Sequence, residues 1–194
     1  MELVLVRHGE TEWSRTGQHT GSTDLELLEH GQAQARGIAP VLAKIVGDRP
    51  AVVYSSPMKR AVVTAALAFP QGQAQACDLL REYDYGDYEG LTTKEIWSRV
   101  PGWDIWRDGC PNGEQPADVG ARADHFLADC AAHDGPVVAV SHGHMSRILA
   151  ARALGIAASE GRLFTLDTGS VSVIKDVRGK RAVALWNLVG DLIG

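Results

Sequence analysis

The sequence predicts an α/β protein, built as a three-layer α/β/α sandwich with a mostly parallel central sheet. Three short runs of aliphatic residues do not alternate with polar ones, as expected of parallel strands covered on both faces. They are residues 3–6, 51–54 and 137–140. Helical patterns between or after these strands complete the α/β alternation. They cover residues 31–46, 56–69, 117–133 and 145–154, and Pro57 suits a first helical position.

The C-terminal third has a different pattern. Residues 171–177 and 181–189 flank a short Arg-Gly-Lys turn, which predicts an antiparallel pair added to the sheet. Residues 71–120 are the least regular stretch and are rich in Gly, Pro and Trp, as is typical of a lid or specificity segment. No linker or internal repeat interrupts the chain, so we expect one domain over residues 1–194.

Composition excludes several classes of partner. The net charge of −5 over 194 residues argues against nucleic acid and anionic membranes, although a few arginines can still form a pocket for a small anionic substrate. Three cysteines without CxxC spacing disfavour a disulfide framework and a zinc site. With no signal peptide or membrane-spanning segment, we expect a cytoplasmic protein, and a homo-oligomer remains open.

Cationic and imidazole side chains follow three of the predicted strands. Arg7 and His8 end the first, Arg60 lies early in the helix after the second, and His142 ends the third. The carboxyl ends of parallel strands meet at one edge of a sheet, where α/β proteins bind ligands, so we expect these four side chains to converge. His142 and His144 lack the spacing of a metal motif, and we expect neither a metal nor another cofactor.

Each of these features also has a structural interpretation. A lone histidine at a strand end is more often packed or solvated than catalytic. Arg60 beside Lys59 is, taken alone, typical of a solvated helix face. The carboxylates of Asp84, Asp87 and Glu89 fit simple turn chemistry.

Four segments decide between these interpretations. They are RHGET (7–11), SSPMKRAVVTA (55–65), LREYDYGDYEG (80–90) and VSHGH (140–144). In this order, and across nearly the whole chain, they resemble the histidine phosphatase superfamily, the phosphoglycerate mutase-like group. The resemblance implies that group's fold and phosphoryl transfer without a metal.

The resemblance also implies roles for individual residues. His8 would be the nucleophile that forms a phosphohistidine. Arg7 and Arg60 would keep its imidazole neutral by like-charge repulsion and would bind phosphate oxygens. His142, cationic when phosphate is bound, and the Gly143 N–H would complete this clamp. Gly9 would leave room for the phosphate against the backbone.

Glu82 matches the position of the general acid. A neighbouring dianionic phosphate favours the protonated carboxyl, which can then protonate the leaving group and later accept a proton from water. This arrangement predicts an acid-leaning pH optimum. The alternative for Glu82 is a surface salt bridge with Arg81.

A further group of residues is implied to bind the substrate. Ser14 stands where mutases of the family carry Asn, and its hydroxyl can still donate to phosphate. Residues 17–24 match the segment that lines the pocket. The candidates are Ser14, Thr20, Gly21, Ser22, Tyr85, Gly143 and Arg147. The loop with Trp103, Trp106 and Arg107 is either a lid or a recognition surface.

The substrate class follows from one more segment. Residues 105–114, IWRDGCPNGE, are similar to the branch that contains sedoheptulose-bisphosphatase and broad-range acid phosphatases. The Arg–Arg pair of mutases is absent between Glu82 and His142. We therefore expect a metal-independent phosphatase acting on a small phosphorylated substrate, a sugar phosphate or bisphosphate. The alternatives are a cofactor-dependent phosphoglycerate mutase and a silent phospho-ligand binder, which would have no use for the acid.

Overall fold

The central sheet has six strands in the computed structural model, which describes residues 2–70 and 72–190. The strands are β1 (Glu2–Arg7), β2 (Val52–Ser55), β3 (Gln75–Ala76), β4 (Pro136–Ser141), β5 (Ser170–Val177) and β6 (Lys180–Val189). Their order across the sheet is β3-β2-β4-β1-β5-β6. The first four strands in the sequence pair in parallel, and β5 and β6 extend the sheet antiparallel. The predicted mostly parallel sheet is confirmed.

Helices connect the strands and cover both faces of the sheet. They are α1 (Glu12–Thr16), α2 (Glu29–Gly37), α3 (Ala39–Val46), α4 (Lys59–Ala68), α5 (Thr93–Arg99), α6 (Ile105–Asp108), α7 (Pro116–Cys130) and α8 (Gly143–Ala153). Short 3₁₀ segments lie at Asp78–Leu80, Gly86–Tyr88 and Ala158–Leu163. Among the described residues, no helix has the length and apolar character needed to cross a membrane.

Two hydrophobic cores lie on opposite faces of the sheet. Successive side chains of a strand point to opposite faces, so β1 contributes to both cores. Leu3 and Leu5 pack in the core that also holds Phe126 of α7 and residues of α8. Val4 and Val6 pack in the other core, with residues of α3 and α4. This division gives the three layers that the aliphatic strands predict.

Two helix boundaries differ from the prediction. Residues 31–46 are not one helix, because the chain breaks at Ile38, between α2 and α3. Pro40 lies in the first turn of α3 and has no N–H for the carbonyl of Arg36, which a continuous helix would require. Pro57 precedes α4 rather than opening it, because the Ser56 N–H donates to the Val140 carbonyl and prolongs the extended chain after β2.

The C-terminal hairpin forms as predicted. Its two turn residues, Arg178 and Gly179, both have positive φ, 57° and 78°. That combination gives a turn whose twist matches the flanking strands. The irregular stretch predicted at 71–120 consists, from residue 72 onward, mainly of short elements joined by loops, and Gln71 lies outside the described residues.

Candidate active site

The ends of β1 and β4 bring two histidines together. The strands pair in parallel up to Arg7 and Ser141, and the His8 N–H donates to the Ser141 carbonyl at 3.0 Å. His8 and His142 follow directly, with ring centroids 5.1 Å apart at an interplanar angle of 64°. The structure therefore places these two imidazoles where the strand order predicts.

Hydrogen bonding fixes the tautomer of His8. Its Nδ1 lies 2.7 Å from the Gly9 carbonyl oxygen, which can only accept, so Nδ1 carries the proton. Burial, followed by the charges of Arg60 and Arg7, holds the pKa of His8 well below its usual value. The free protein thus presents a neutral imidazole with a lone pair on Nε2, the form required for attack on phosphorus.

Arg7 supplies an unused donor at the same place. Its Nη1 donates to the Leu166 carbonyl, whereas its Nε is buried and has no hydrogen-bond partner among the described residues. Leaving a buried donor unpaired is costly, so an acceptor such as a phosphate oxygen would be favoured here. Gly143, the first residue of α8, lies against this guanidinium: a Cβ built on it would be 3.4 Å from Arg7 Cζ.

Arg60 and His142 lie behind His8 rather than in the cavity wall. Both are fully buried, and Arg60 Nε donates to His142 Nδ1 at 3.1 Å. Because Nδ1 accepts, His142 carries its proton on Nε2, which lies 2.8 Å from Ser56 Oγ. Burial and the charge of Arg60 lower the pKa of His142 well below its usual value, so the free protein holds it neutral. Its predicted cationic form in the phosphate complex stays a prediction.

Glu82 is held at the cavity by three backbone donors. Its Oε1 accepts from the N–H groups of Tyr83 (2.9 Å) and Met145 (2.8 Å), and its Oε2 accepts from His144 N–H (3.0 Å). The alternative pairing with Arg81 does not occur, since Arg81 pairs with Asp78. The carboxyl group is therefore fixed between the segment after β3 and the first turn of α8.

Arg7, His8 and Glu82 line one cavity of about 200 Å³. The residues singled out from the sequence that line it are Arg7, His8, Ser14, Thr20, Glu82, Tyr85, Gly143 and Arg147. Gln18, His19, His144 and Leu166, which the sequence analysis does not name individually as site residues, also line it. Three of them lie within segments already noted, Gln18 and His19 in residues 17–24 and His144 in residues 140–144. Leu166 has no such signal.

Among the proposed substrate-binding residues, Ser14 and Gly21 have other structural partners, and Ser22 lies outside the cavity. The Ser14 hydroxyl, although at the cavity, donates to the Thr11 carbonyl and accepts from the Thr11 N–H, closing the capping box of α1. Gly21 does not line the cavity: its N–H donates to the Glu89 carboxylate, and its carbonyl accepts from Arg60. Ser22 is exposed and lies outside the cavity wall.

Gly9 is required by packing, and the room it would leave for a phosphate stays a prediction. A Cβ built on Gly9 would lie 2.1 Å from the Gly31 carbonyl oxygen, and one on Gly31 would lie 2.2 Å from that of Glu10. The two glycines thus allow α2 to approach the segment after β1. Across the described part of the chain, no cluster of three or more His, Cys, Asp or Glu side chains is arranged to hold a metal ion.

Comparison with known proteins identifies the family. The profile of the histidine phosphatase superfamily (branch 1) matches residues 3–189. The acid phosphatase of Mycobacterium tuberculosis (strain ATCC 25618 / H37Rv) is 40% identical over 190 residues, which is 97% of this chain and 93% of that protein. Sedoheptulose 1,7-bisphosphatase of Saccharomyces cerevisiae is 33% identical in a match that covers 79% of this chain and 67% of that protein.

A solved structure has the same fold. The product of an open reading frame of Mycobacterium tuberculosis superposes with a TM-score of 0.93 at 40% identity, covering 97% of this chain and 98% of that one. The phosphatase interpretation is better supported than the mutase alternative, and a phosphomonoester hydrolase is what the relatives indicate. From its first strand to its last, the chain belongs to the histidine phosphatase superfamily.

Proposed function

We propose that this phosphatase hydrolyses sugar phosphates through a phosphohistidine on His8, without a metal. One observation carries the proposal: the unprotonated Nε2 of His8 and the unpaired Nε of Arg7 belong to residues that line the same cavity. The first is a nucleophile, and the second is a donor that lacks only an anion.

The first chemical step is transfer of the phosphoryl group to the protein. The Nε2 lone pair of His8 attacks phosphorus, and the bond from phosphorus to the ester oxygen breaks. Glu82, brought to the cavity by its three backbone hydrogen bonds, gives its proton to the departing alkoxide. The alcohol leaves, and Glu82 remains as a carboxylate.

The second step regenerates the enzyme. Glu82 takes a proton from water as the water oxygen attacks phosphorus, and the bond between phosphorus and His8 Nε2 breaks. Inorganic phosphate leaves, His8 is neutral again, and Glu82 is protonated. Arg7 offsets the charge on the phosphoryl oxygens during both steps.

Arg60 supports this chemistry from outside the cavity wall, where its Nε donates to His142 Nδ1. The Arg60 charge lowers the pKa of His8, so the nucleophile stays neutral. Its guanidinium also donates to three carbonyls in the segment of residues 20–23, which fixes the cavity wall beside Thr20. One sheet runs through the described residues, which supports the assignment of the activity to one domain.

The substrate assignment rests on the relatives and on the cavity. Sedoheptulose 1,7-bisphosphatase acts on a phosphorylated sugar by name, and this chain shares its fold family. Tyr85 and Arg147 add polar groups to the cavity wall beyond the phosphate position, where a sugar bound to the phosphate would lie. We propose a sugar phosphate on these two grounds.

The decisive experiment is hydrolysis of p-nitrophenyl phosphate in the presence of EDTA, from pH 4 to pH 8. We expect turnover without added metal, together with release of phosphate from a panel of sugar phosphates. If no turnover occurs at any pH while inorganic phosphate still binds, the protein is a phospho-ligand binder rather than an enzyme. Interconversion of monophosphoglycerates on addition of bisphosphoglycerate, faster than hydrolysis, would favour a mutase.

A further inference from the structure

A second cavity adjoins the one that holds His8 and Arg7. It has a volume of about 560 Å³ and shares His19 and His144 with the first cavity as common wall. The rest of its wall includes three tryptophans, Trp97, Trp103 and Trp106. We call it the tryptophan pocket. A group esterified to phosphate in the first cavity can therefore extend past the two histidines into this pocket.

The tryptophans that line this pocket are held by specific contacts. Trp103 Nε1 donates to the Gly109 carbonyl at 2.8 Å, and Trp97 Nε1 donates to the Trp103 carbonyl at 2.7 Å. The Arg147 guanidinium lies 4.4 Å from the centroid of Trp106. The pocket thus offers indole surfaces next to polar side chains such as Thr93 and Asp104, which suits a small ring that carries hydroxyl groups.

His144 places one hydrogen-bond donor in the shared wall. Its Nδ1 lies 2.7 Å from Tyr85 Oη. Tyr85 is buried, which raises the pKa of its hydroxyl well above the usual value, and that hydroxyl has no other acceptor among the described residues. The Tyr85 O–H therefore donates to Nδ1, and the neutral His144 carries its own proton on Nε2. This Nε2–H makes no hydrogen bond within the described part of the chain.

The tryptophan pocket suits an uncharged occupant. Two arginines lie at this pocket, and both already have acceptors. Arg107 donates to the Asp108 carboxylate and to the Gly102 carbonyl. Arg147, which stacks on Trp106, donates to the carbonyls of Gly161 and Arg162. Burial lowers the pKa of His144 well below its usual value and that of His19 to about 4, so both imidazoles are neutral at physiological pH. A second phosphate placed here would have to compete with these acceptors for a cation, whereas an uncharged group would not.

We propose that His144 and the tryptophan pocket form the leaving-group subsite and that this subsite takes an uncharged, hydroxylated ring. The hydroxyl next to the phosphorylated carbon accepts a hydrogen bond from His144 Nε2–H, and the ring packs against the indoles. The substrate class is then the monophosphate of a sugar rather than a bisphosphate. His144 is a specificity-determining residue, and Tyr85 is a positioning residue that fixes its tautomer. The inference rests on the proposed function.

Two variants and a matched control test this subsite. His144→Phe keeps a ring and removes the donor, while its backbone N–H can still donate to Glu82. Tyr85→Phe removes the hydrogen bond that fixes the tautomer of His144. Tyr83→Phe is the control, because Tyr83 stacks on Tyr85 at 5.6 Å and its buried hydroxyl has no partner among the described residues. The substrates are a hexose monophosphate, a hexose bisphosphate and p-nitrophenyl phosphate, whose ring has no hydroxyl.

We expect His144→Phe to raise KM for the hexose monophosphate roughly five- to tenfold, the effect of losing one neutral hydrogen bond. The kcat value for the hexose monophosphate, KM for p-nitrophenyl phosphate and inhibition by inorganic phosphate should change less than about twofold. Retention of these values would also show that the variant is folded. Tyr85→Phe should shift the same KM in the same direction, and Tyr83→Phe should not.

Equal losses on all three substrates, equal effects of the two tyrosine variants, or a wild-type preference for the bisphosphate would each overturn the inference. If His144→Phe does not fold, His144→Leu removes the same donor and is tested with the same three substrates. Failure of the proposed function has a different signature, since the wild-type protein would then not hydrolyse p-nitrophenyl phosphate at all.

Discussion

Arg60 Nε donates a hydrogen bond to His142 Nδ1 at 3.1 Å, with both side chains fully buried. The bond fixes the tautomer of His142, whose Nε2 then reaches Ser56 Oγ. The same guanidinium donates to three carbonyl groups in the segment of residues 20–23. One side chain thus orients His142 next to His8, the proposed nucleophile, and holds a wall of the cavity.

Arg60→Met is expected to lower both stability and activity. Four acceptors, two of them buried and two partly buried, lose their donor, which should reduce the free energy of unfolding by about 3–5 kcal/mol and kcat/KM by about 100-fold or more. Urea unfolding and p-nitrophenyl phosphate kinetics measure the two effects. Arg15→Met, which breaks only an exposed pair with Glu12, is the control, and a similar stability loss in both variants would contradict this role.

His8→Ala is expected to abolish turnover and phosphoenzyme formation. The unprotonated Nε2 of His8 and the unpaired Nε of Arg7 belong to the same cavity, so loss of this proposed nucleophile should reduce kcat by at least about 10³-fold. Rapid quenching with labelled substrate, followed by detection of acid-labile phosphate on the protein, checks the intermediate. His30→Ala on the exposed surface of α2 should trap as much phosphoenzyme as the wild-type protein. Trapping in His8→Ala would place the phosphoryl group elsewhere.

The position of His8, the proposed nucleophile, was predictable because it follows from local patterns. An aliphatic strand ending in Arg7 and His8 is visible in the sequence, and parallel pairing with the strand before His142 brings the two histidines to the same edge. The role of Gly9 was not predictable in the same way. Its contact partner, Gly31, is distant in sequence, and only the packing of α2 shows why neither position accepts a Cβ.

The contacts of Arg60 and His144 also required the structure. A hydrogen bond from Arg60 to the carbonyls of residues 20–23 has no sequence signature, because every residue has a carbonyl. The Tyr85–His144 pair joins residues 59 positions apart. Sequence patterns identify the residue types that carry chemistry, whereas their hydrogen-bond partners depend on how the loops after the strands fold against one another.

Glu82→Gln is expected to affect substrates according to their leaving groups. Nitrophenolate leaves without protonation, whereas the alkoxide of a sugar requires a proton, so loss of the acid should cost about 10²- to 10⁴-fold on a sugar phosphate and far less on p-nitrophenyl phosphate. The amide also places an NH₂ near backbone donors, and this disturbance affects both substrates alike. The ratio of the two kcat/KM values therefore isolates the acid. An unchanged ratio would remove Glu82 from that role.

Acidification is expected to destabilise the free protein through its buried histidines. Burial lowers the folded-state pKa values of His8, His142 and His144 well below their usual value and that of His19 to about 4. Below about pH 6.5, the unfolded chain therefore binds more protons than the folded protein. The free energy of unfolding should be highest above about pH 6.5 and fall below it. For His19, the loss should level off near pH 4.

His19→Phe isolates one of these contributions. The aromatic ring can still pack against Tyr85 and Trp103, but one titrating group is removed. Between pH 6.5 and pH 4 the variant should lose stability less steeply than the wild-type protein, by up to about 1.4 kcal/mol per pH unit, the value for one proton. Urea unfolding at several pH values measures both curves. Parallel curves across this range would mean that His19 is protonated in the folded protein as readily as in the unfolded chain.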